Sequence, residues 1–243
     1  MKKNALLALL SLMLITVSSA FTQEEKRDEI LQNHFKAIGQ DKLNDVESMK
    51  MMGHSLVQGT EFPFTMYIKH PNLVRNEVSV QGQQMIQAYD GKNGWMIAPW
   101  MGPQARDLSG IEVKSMEESA NIGGDLYKWK EKGHQLEYLG EGQVKDQAAY
   151  HLKLTRENGD TIHYYLDKEK YMVLKQTTQS KVNGQQIEVD TYLSNYEMID
   201  GMAFPMFVES RFVGQSTQVT IDSLELNVNL EEALFRKPVT NNP

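Results

Sequence analysis

The chain has 243 residues, of which 40% are hydrophobic, and a net charge of −7, which is typical of a folded globular protein and not of a disordered one. It contains no cysteine, which excludes disulfides and thiol nucleophiles. Carboxylates exceed basic residues and no basic cluster occurs, so we expect no nucleic-acid partner, because phosphate binding needs a basic face.

The N-terminus has the pattern of a secretory signal peptide. Lys2 and Lys3 precede an apolar run from Ala5 to Val17, and the small residues Ser18-Ser19-Ala20 follow. The run is too short to cross a bilayer, which needs about 20 apolar residues. We therefore predict a signal peptide over 1–20, cleavage after Ala20, and one secreted domain over 21–243.

The mature chain is predicted to begin with a helix and to continue in strands. Thr22 and Glu25 fit a capping box, an apolar stripe that includes Phe35 follows, and Gly39 ends the helix. From Ser48 onward the apolar pattern has a period of two, in segments of about ten residues separated by turn dipeptides. This pattern predicts a meander of antiparallel hairpins.

The last predicted strand contains a change of phase. Val219-Thr220-Ile221 places its apolar residues on one face, but Leu224-Glu225-Leu226 places them on the other if the strand is regular. One inserted residue restores a common face. We therefore predict a β-bulge near Asp222 or Ser223.

At Asn158-Gly159, a three-residue turn with a left-handed glycine is predicted to set Leu154 opposite Tyr164. The same register separates His151 from His163 by four residues, or roughly 13 Å. That separation is too large for both to bind one ion, and no HExxH or similar spacing occurs. We therefore predict no metal site.

The stretch from Trp100 to Tyr127 breaks the strand pattern with a predicted helical piece from Ser109 to Ile122. A segment of this length inside a compact domain often forms a lid or a binding element. A surface crossover without a function is the alternative, and the sequence leaves both open.

Motifs for catalysis are missing. The sequence has no G-x-S-x-G elbow, P-loop or dinucleotide fingerprint, and Glu188 and Asp190 fit a solvated strand face better than an acid and base pair. We therefore predict a protein that is not an enzyme and that uses no cofactor.

Methionine and tryptophan are the unusual residues. Methionine adapts to irregular partners and lines surfaces that accept varied apolar ligands, although it also fills ordinary cores. Taken together, these residues favour an apolar binding pocket, and for each single methionine core packing remains the alternative. They are Met49, Met51, Met52, Met66, Met85, Met96, Met101, Met116, Trp95, Trp100 and Trp129.

The region from Tyr67 to Trp100 contains Pro71-Asn72, then Asp90-Gly91-Lys92 with Trp95 and Pro99, and the chain closes with Leu234-Phe235-Arg236-Lys237-Pro238. These positions resemble the motifs of the LolA family of periplasmic lipoprotein carriers. The resemblance implies a mainly antiparallel β fold, a curved unclosed half β-barrel. Its concave face would be covered by an N-terminal helix and the inserted helical segment.

The same resemblance implies a function. It implies a periplasmic, monomeric carrier that binds acyl chains of lipoproteins, or a lipid, and delivers them towards the outer membrane, with an inner-membrane release complex and an outer-membrane acceptor as partners. An envelope sensor or assembly factor that binds a protein partner is the alternative, followed by a lipid hydrolase. His70 stands where the well-studied carriers have an arginine. Arg75 either supplies that cation at a polar site or lies on the outer face of its strand.

Alternation along the strand after Asp90-Gly91 predicts that Trp95 and Met96 point to opposite faces. From the family's arrangement, in which this hairpin lies under the inserted segment, we expect a set of apolar residues to border the cavity and its lid. The set is Met85, Trp95, Trp100, Met101, Met116 and Phe35.

Overall fold

The computed structural model describes residues 22–182 and 184–238. The predicted signal peptide lies outside these residues, as does Asn183, which with Gly184 forms one of the turn dipeptides that separate the predicted strands. In the described ranges, no helix is both long and apolar enough to cross a membrane.

The strands form a 13-stranded sheet in the order β6-β5-β4-β3-β2-β1-β13-β12-β11-β10-β9-β8-β7. Nearly every strand pairs with its neighbour in the chain, because short turns join antiparallel strands into hairpins. The sheet is unclosed, with β6 and β7 at its two ends. The predicted fold class, an unclosed antiparallel half-barrel with helices, is confirmed. The strands are β1 Ser48–Val57, β2 Thr60–Lys69, β3 Leu73–Val80, β4 Gln83–Asp90, β5 Gly94–Ile97, β6 Arg106–Asp107, β7 Gln135–Val144, β8 Gln147–Thr155, β9 Thr161–Asp167, β10 Val173–Val182, β11 Gln185–Ile199, β12 Met202–Phe212 and β13 Gln215–Leu226.

Three α-helices and two short 3₁₀ helices accompany the sheet in the described residues. They are α1 at 22–38, α2 Gln40–Leu43, α3 Gly110–Ser119, and the 3₁₀ helices Pro99–Met101 and Glu232–Phe235. By its internal contacts the chain divides into two units. The first unit contains 22–38 and 126–190, and the second contains 39–125 and 191–238.

In the first unit, α1 packs on the strands with one apolar face, where Ile30 is fully buried. Two polar side chains of the same helix fix its position. Arg27 donates from Nη1 to the Leu136 carbonyl at 3.2 Å, and Nδ1 of buried His34 lies 2.8 Å from the Tyr171 carbonyl. Apolar side chains therefore bury the predicted N-terminal helix, and the contacts of Arg27 and His34 orient it.

The predicted bulge in the last strand of the second unit is confirmed. In the pairing of β1 with β13, Met52 is opposite Ser223 but Gly53 is opposite Ile221, so Asp222 is the extra residue. The bulge brings Leu224 onto the same face as Ile221.

The turn at Asn158-Gly159 has three residues with Gly159 at φ 86°, as predicted, but the predicted strand register is wrong by two residues. The Arg156 N–H donates to the Asp160 carbonyl at 2.8 Å and closes the loop, so Leu154 pairs with Ile162 and not with Tyr164. A shift of two residues keeps each side chain on its predicted face.

The predicted helical piece of the inserted segment is confirmed as α3. Ser109 and Glu112 form a capping box, and the Arg106 guanidinium lies 3.0 Å from the Glu112 carboxylate. Hydrogen bonds from Arg106 and Ser109 lower the pKa of Glu112 to about 2. The helix start is therefore defined by its own cap and by a cation on β6.

We predict that Gly53→Ala destabilises the protein by about 1–3 kcal/mol, the usual cost of overpacking. A Cβ at Gly53 would collide with the Thr220 carbonyl oxygen and would lie 3.1 Å from Phe64 Cε1. Gly110→Ala is the control, because no atom lies within 4 Å of its Cβ position and alanine favours a helix. Urea unfolding would contradict the prediction if both variants matched the wild type.

We also predict that stability falls as the pH drops below about 6.5 and that His34 contributes to the fall. Burial lowers the pKa of His34 from its ordinary value, so the unfolded chain binds a proton that the folded chain excludes. Stability then decreases with falling pH by up to about 1.4 kcal/mol per pH unit for each such histidine. His34→Gln should reduce the difference in unfolding free energy between pH 7.5 and pH 5.5, and an unchanged difference would refute this role.

Candidate functional site

One face of the second unit is apolar across several strands. Register places the odd-numbered residues of β1 in line with the even-numbered residues of β2 and β3, so Met51, Met66 and Asn76 lie side by side. On β13, Val219 and Ile221 lie on the same face, opposite Ser55 and Gly53. The alternation of the strands therefore builds a continuous surface, which we call the cavity face.

One end of the cavity face is covered by α3. Met116 and Ala120 of this helix belong to a buried cluster with side chains of β1 to β5, and Val113 packs against it. Gly94 on β5 permits the close approach, because its Cβ position is 3.1 Å from Val113 Cγ2. The strand members of the cluster are Met49, Ile68, Val74, Tyr89 and Met96.

The other end of the cavity face forms an open cavity of about 280 Å³. Its walls are mostly methionine, phenylalanine and valine side chains, and two residues, Ser55 and Asn76, are polar. Such a combination of apolar walls with few polar groups is typical of small-molecule sites. The lining residues are Met51, Ser55, Phe64, Met66, Asn76, Val78, Val219 and Ile221.

Of the residues predicted from the sequence, Met85 lies on the cavity face and Met116 lies on α3, on the side that packs against this face. Met116 is only 8% exposed within the α3 cluster, and Met85 packs against that cluster. Trp100 and Met101 lie in the 3₁₀ helix after β5 and are 51% and 65% exposed. The structure therefore brings two predicted residues to the cavity face and leaves two as exposed apolar side chains.

Trp95 lies on the opposite face of the sheet, which corrects its predicted place at the cavity mouth. The residue is 1% exposed, and its indole N–H donates to the Phe235 carbonyl at 2.8 Å. Met96 points to the cavity face, as alternation predicted. The C-terminal 3₁₀ helix, and not α3, covers Trp95.

The predicted polar site of His70 and Arg75 is not assembled. Arg75 also lies on the face opposite the cavity, where Nε is 2.6 Å from the Glu77 carboxylate and Nη1 donates to the Leu234 carbonyl at 2.9 Å. His70 is exposed, and its backbone N–H donates to the Glu47 carbonyl. Of the two positions considered for Arg75, the outer face of the strand is the one observed. The side chain binds the C-terminal segment, by which we mean residues 230–238.

Phe35 borders a separate groove of about 370 Å³ in the first unit. Its ring meets Tyr127 edge to face at 5.8 Å, and the Arg27 guanidinium lies 5.2 Å from the Trp129 ring. The groove lies between α1 and the stretch 126–131. Phe35, which was predicted to border the cavity, is not among the residues that line it, and its partner Tyr127 was not predicted.

The predicted distance between His151 and His163 is wrong. The shifted register pairs His163 with Lys153, and Nε2 of His151 lies 2.8 Å from Nδ1 of His163. Burial lowers the pKa of both histidines, helped by the approach of His163 to His151 and of Lys153 to His163. In the described part of the chain, no three His, Asp or Glu side chains are grouped to hold a metal.

We predict that Met116→Ala lowers the free energy of unfolding by about 2–5 kcal/mol, as for a filled core position. Trp100→Ala should change it by less than about 0.5 kcal/mol, because the side chain is exposed. Urea unfolding of both variants measures the contrast. A small loss for Met116→Ala would show instead that the residue lines open space.

Solved structures identify the fold. No protein-family model and no curated protein matches the sequence. A DUF1329 family protein from Desulfovibrio piger is similar with a TM-score of 0.60 at 15% identity, covering 84% of this chain and 96% of that one. A putative outer membrane lipoprotein-sorting protein domain from Vibrio parahaemolyticus gives 0.58 at 12% identity, covering 88% and 97%. A LolA superfamily protein from Nitrosomonas europaea gives 0.57 at 13% identity, covering 87% and 97%. The chain therefore has a LolA-like fold.

Proposed function

We propose that the protein is a periplasmic carrier that binds an acyl chain of a lipoprotein, or of a lipid, on the cavity face and delivers it towards the outer membrane. The open cavity of about 280 Å³ between Met51, Phe64, Met66 and Val78 is the observation that supports the proposal. The fold shared with a putative lipoprotein-sorting domain and the predicted signal peptide agree with it.

Binding requires no covalent chemistry. Each methylene moved from water onto the cavity face stabilises the complex by about 0.8 kcal/mol before ordering costs are subtracted. Met51 and Met66 suit a flexible chain, because their side chains adopt many conformations at little cost. The affinity is therefore set by the length of chain that the cavity face covers.

At about 280 Å³ the cavity is slightly smaller than most small-molecule sites, which span about 300 to 1,000 Å³. A long acyl chain then needs additional space, and α3 is the element that covers the rest of the cavity face. The Arg106–Glu112 ion pair at its N-terminus is exposed and contributes little, about 0–1 kcal/mol. We propose α3 as the lid, with Met85 and Met116 at the covered end of the binding surface.

Trp100 and Met101 support the second function, contact with a protein partner. Exposed apolar side chains of this size mark interaction surfaces when they occur together. In the carrier, this pair would contact the inner-membrane donor or the outer-membrane acceptor. In an envelope sensor, it would bind the partner without any lipid.

Native mass spectrometry distinguishes the two functions. Protein purified from its own periplasm, and protein stripped of lipid and then mixed with lipoprotein, should both carry an acylated species. A stoichiometric protein complex without lipid would support the sensor. Absence of any acylated species from both preparations would refute the carrier.

We predict that Met51→Gln weakens binding of a fluorescent acyl probe roughly tenfold, because Met51 lines the cavity between Met66 and Leu224 and the ligand would bury an amide that has no partner there. Met51 is partly buried and packs at the edge of the cluster under α3, so the loss of stability should be smaller than for Met116→Ala. Met198→Gln, the same change at a side chain that is 61% exposed, is the control and should bind as the wild type. Equal probe affinity in both variants, measured on folded protein, would move the site away from this cavity.

A further inference from the structure

We propose that Asn76 makes the cavity selective for acyl chains that carry an ester or amide carbonyl over plain hydrocarbon chains. The inference rests on the proposed function, because it concerns the ligand of the same cavity. It assigns to one side chain the recognition of the polar end of the bound chain.

The position of Asn76 is set by strand register. It lies on β3 between Met66 of β2 and Gln87 of β4, and its side chain lines the cavity with Val78. Asparagine is unfavourable in a strand, so β-propensity does not account for its presence there.

The other polar residue of the lining is already engaged. The Ser55 hydroxyl donates to the Phe62 carbonyl at 3.4 Å within its own hairpin. The side-chain amide of Asn76 has no hydrogen bond to any residue in 22–182 or 184–238. Asn72 at the start of the same hairpin contrasts with it, since its amide donates to the Gly91 carbonyl at 3.3 Å.

A free amide in this position discriminates between ligands. In the empty cavity, water satisfies its two donors and its carbonyl acceptor. A hydrocarbon chain that covers Asn76 removes that water and leaves the amide unpaired, which opposes binding. A chain with a carbonyl near its polar end accepts a hydrogen bond from the Asn76 amide and avoids this penalty.

The size of the preference follows from ordinary hydrogen bonds. A neutral pair inside a protein changes an equilibrium by about 3- to 10-fold. A site that hydrogen-bonds a ligand group binds an analogue without that group much more weakly. A purely apolar pocket discriminates less strongly between ligands that differ by one methylene. We therefore expect a preference of this size between otherwise matched ligands.

The experiment compares two fluorescent probes of equal length, a pyrene-labelled fatty acid methyl ester and a pyrene-labelled alkane. The wild type should bind the ester about 3- to 10-fold more tightly. Asn76→Leu, which keeps the side-chain size, should abolish the preference, because it removes the hydrogen bond to the ester and also the unpaired amide that opposes the alkane. Gln218→Leu is the matched control, because this amide lies next to Val219 on the strand but points to the opposite face.

Asn76→Ala removes the same amide without adding apolar bulk, so it gives the result even if the leucine variant folds poorly. An ester preference that persists in both Asn76 variants overturns the inference and leaves the carrier proposal intact. Equal binding of the two probes by the wild type has the same consequence. Failure of the wild type to bind either probe overturns the proposed function together with this inference.

Discussion

The two-residue period of the antiparallel strands is the constraint on which the cavity face depends. A slip of one residue would turn the apolar set of a strand to the other side. Ile221 and Leu224 are three residues apart and would face opposite sides in a regular strand, but the bulge at Asp222 returns them to one face. The bulge is accommodated where Gly53 has no side chain to meet the Thr220 carbonyl. One extra residue and one absent side chain thus keep the cavity lining and the covered cluster on the same surface.

The two faces of the sheet in the second unit are covered by segments that are held by different interactions. On the face opposite the cavity, Trp95, Arg75 and Lys69 each donate to a backbone carbonyl of the C-terminal segment, and such directional bonds select one arrangement. On the cavity face, α3 is held by apolar contacts and by the exposed Arg106–Glu112 pair. Apolar contacts have no required geometry, so a bound chain can replace them with contacts of its own. Of the two covering segments, α3 is therefore the one that a bound chain can displace more easily.

The sequence was sufficient for features that are local. The bulge appears as a change of phase, α3 carries its own capping box at Ser109, and alternation predicted that Trp95 and Met96 point to opposite faces. It was insufficient where two segments distant in the chain meet. Alternation does not tell which of the two faces lies under α3, so Trp95 was assigned to the wrong side, and the covering segment around Phe235 was not foreseen. The turn at Gly159 was predicted correctly, yet its register was wrong by two residues, a shift that leaves every face unchanged and is therefore invisible in the hydrophobic pattern.

Asn76 shows how stability and selectivity can be separated along one surface. In the filled cluster under α3, an amide without a partner would destabilise the fold, because buried polar groups need hydrogen bonds. In the open cavity the same amide is solvated in the free protein and adds no such cost to folding. Its desolvation occurs only when a ligand covers it, so the whole penalty, or its relief by a carbonyl, enters the binding equilibrium. A polar residue at the open end of an otherwise apolar face thus changes which ligand binds without changing how firmly the protein folds.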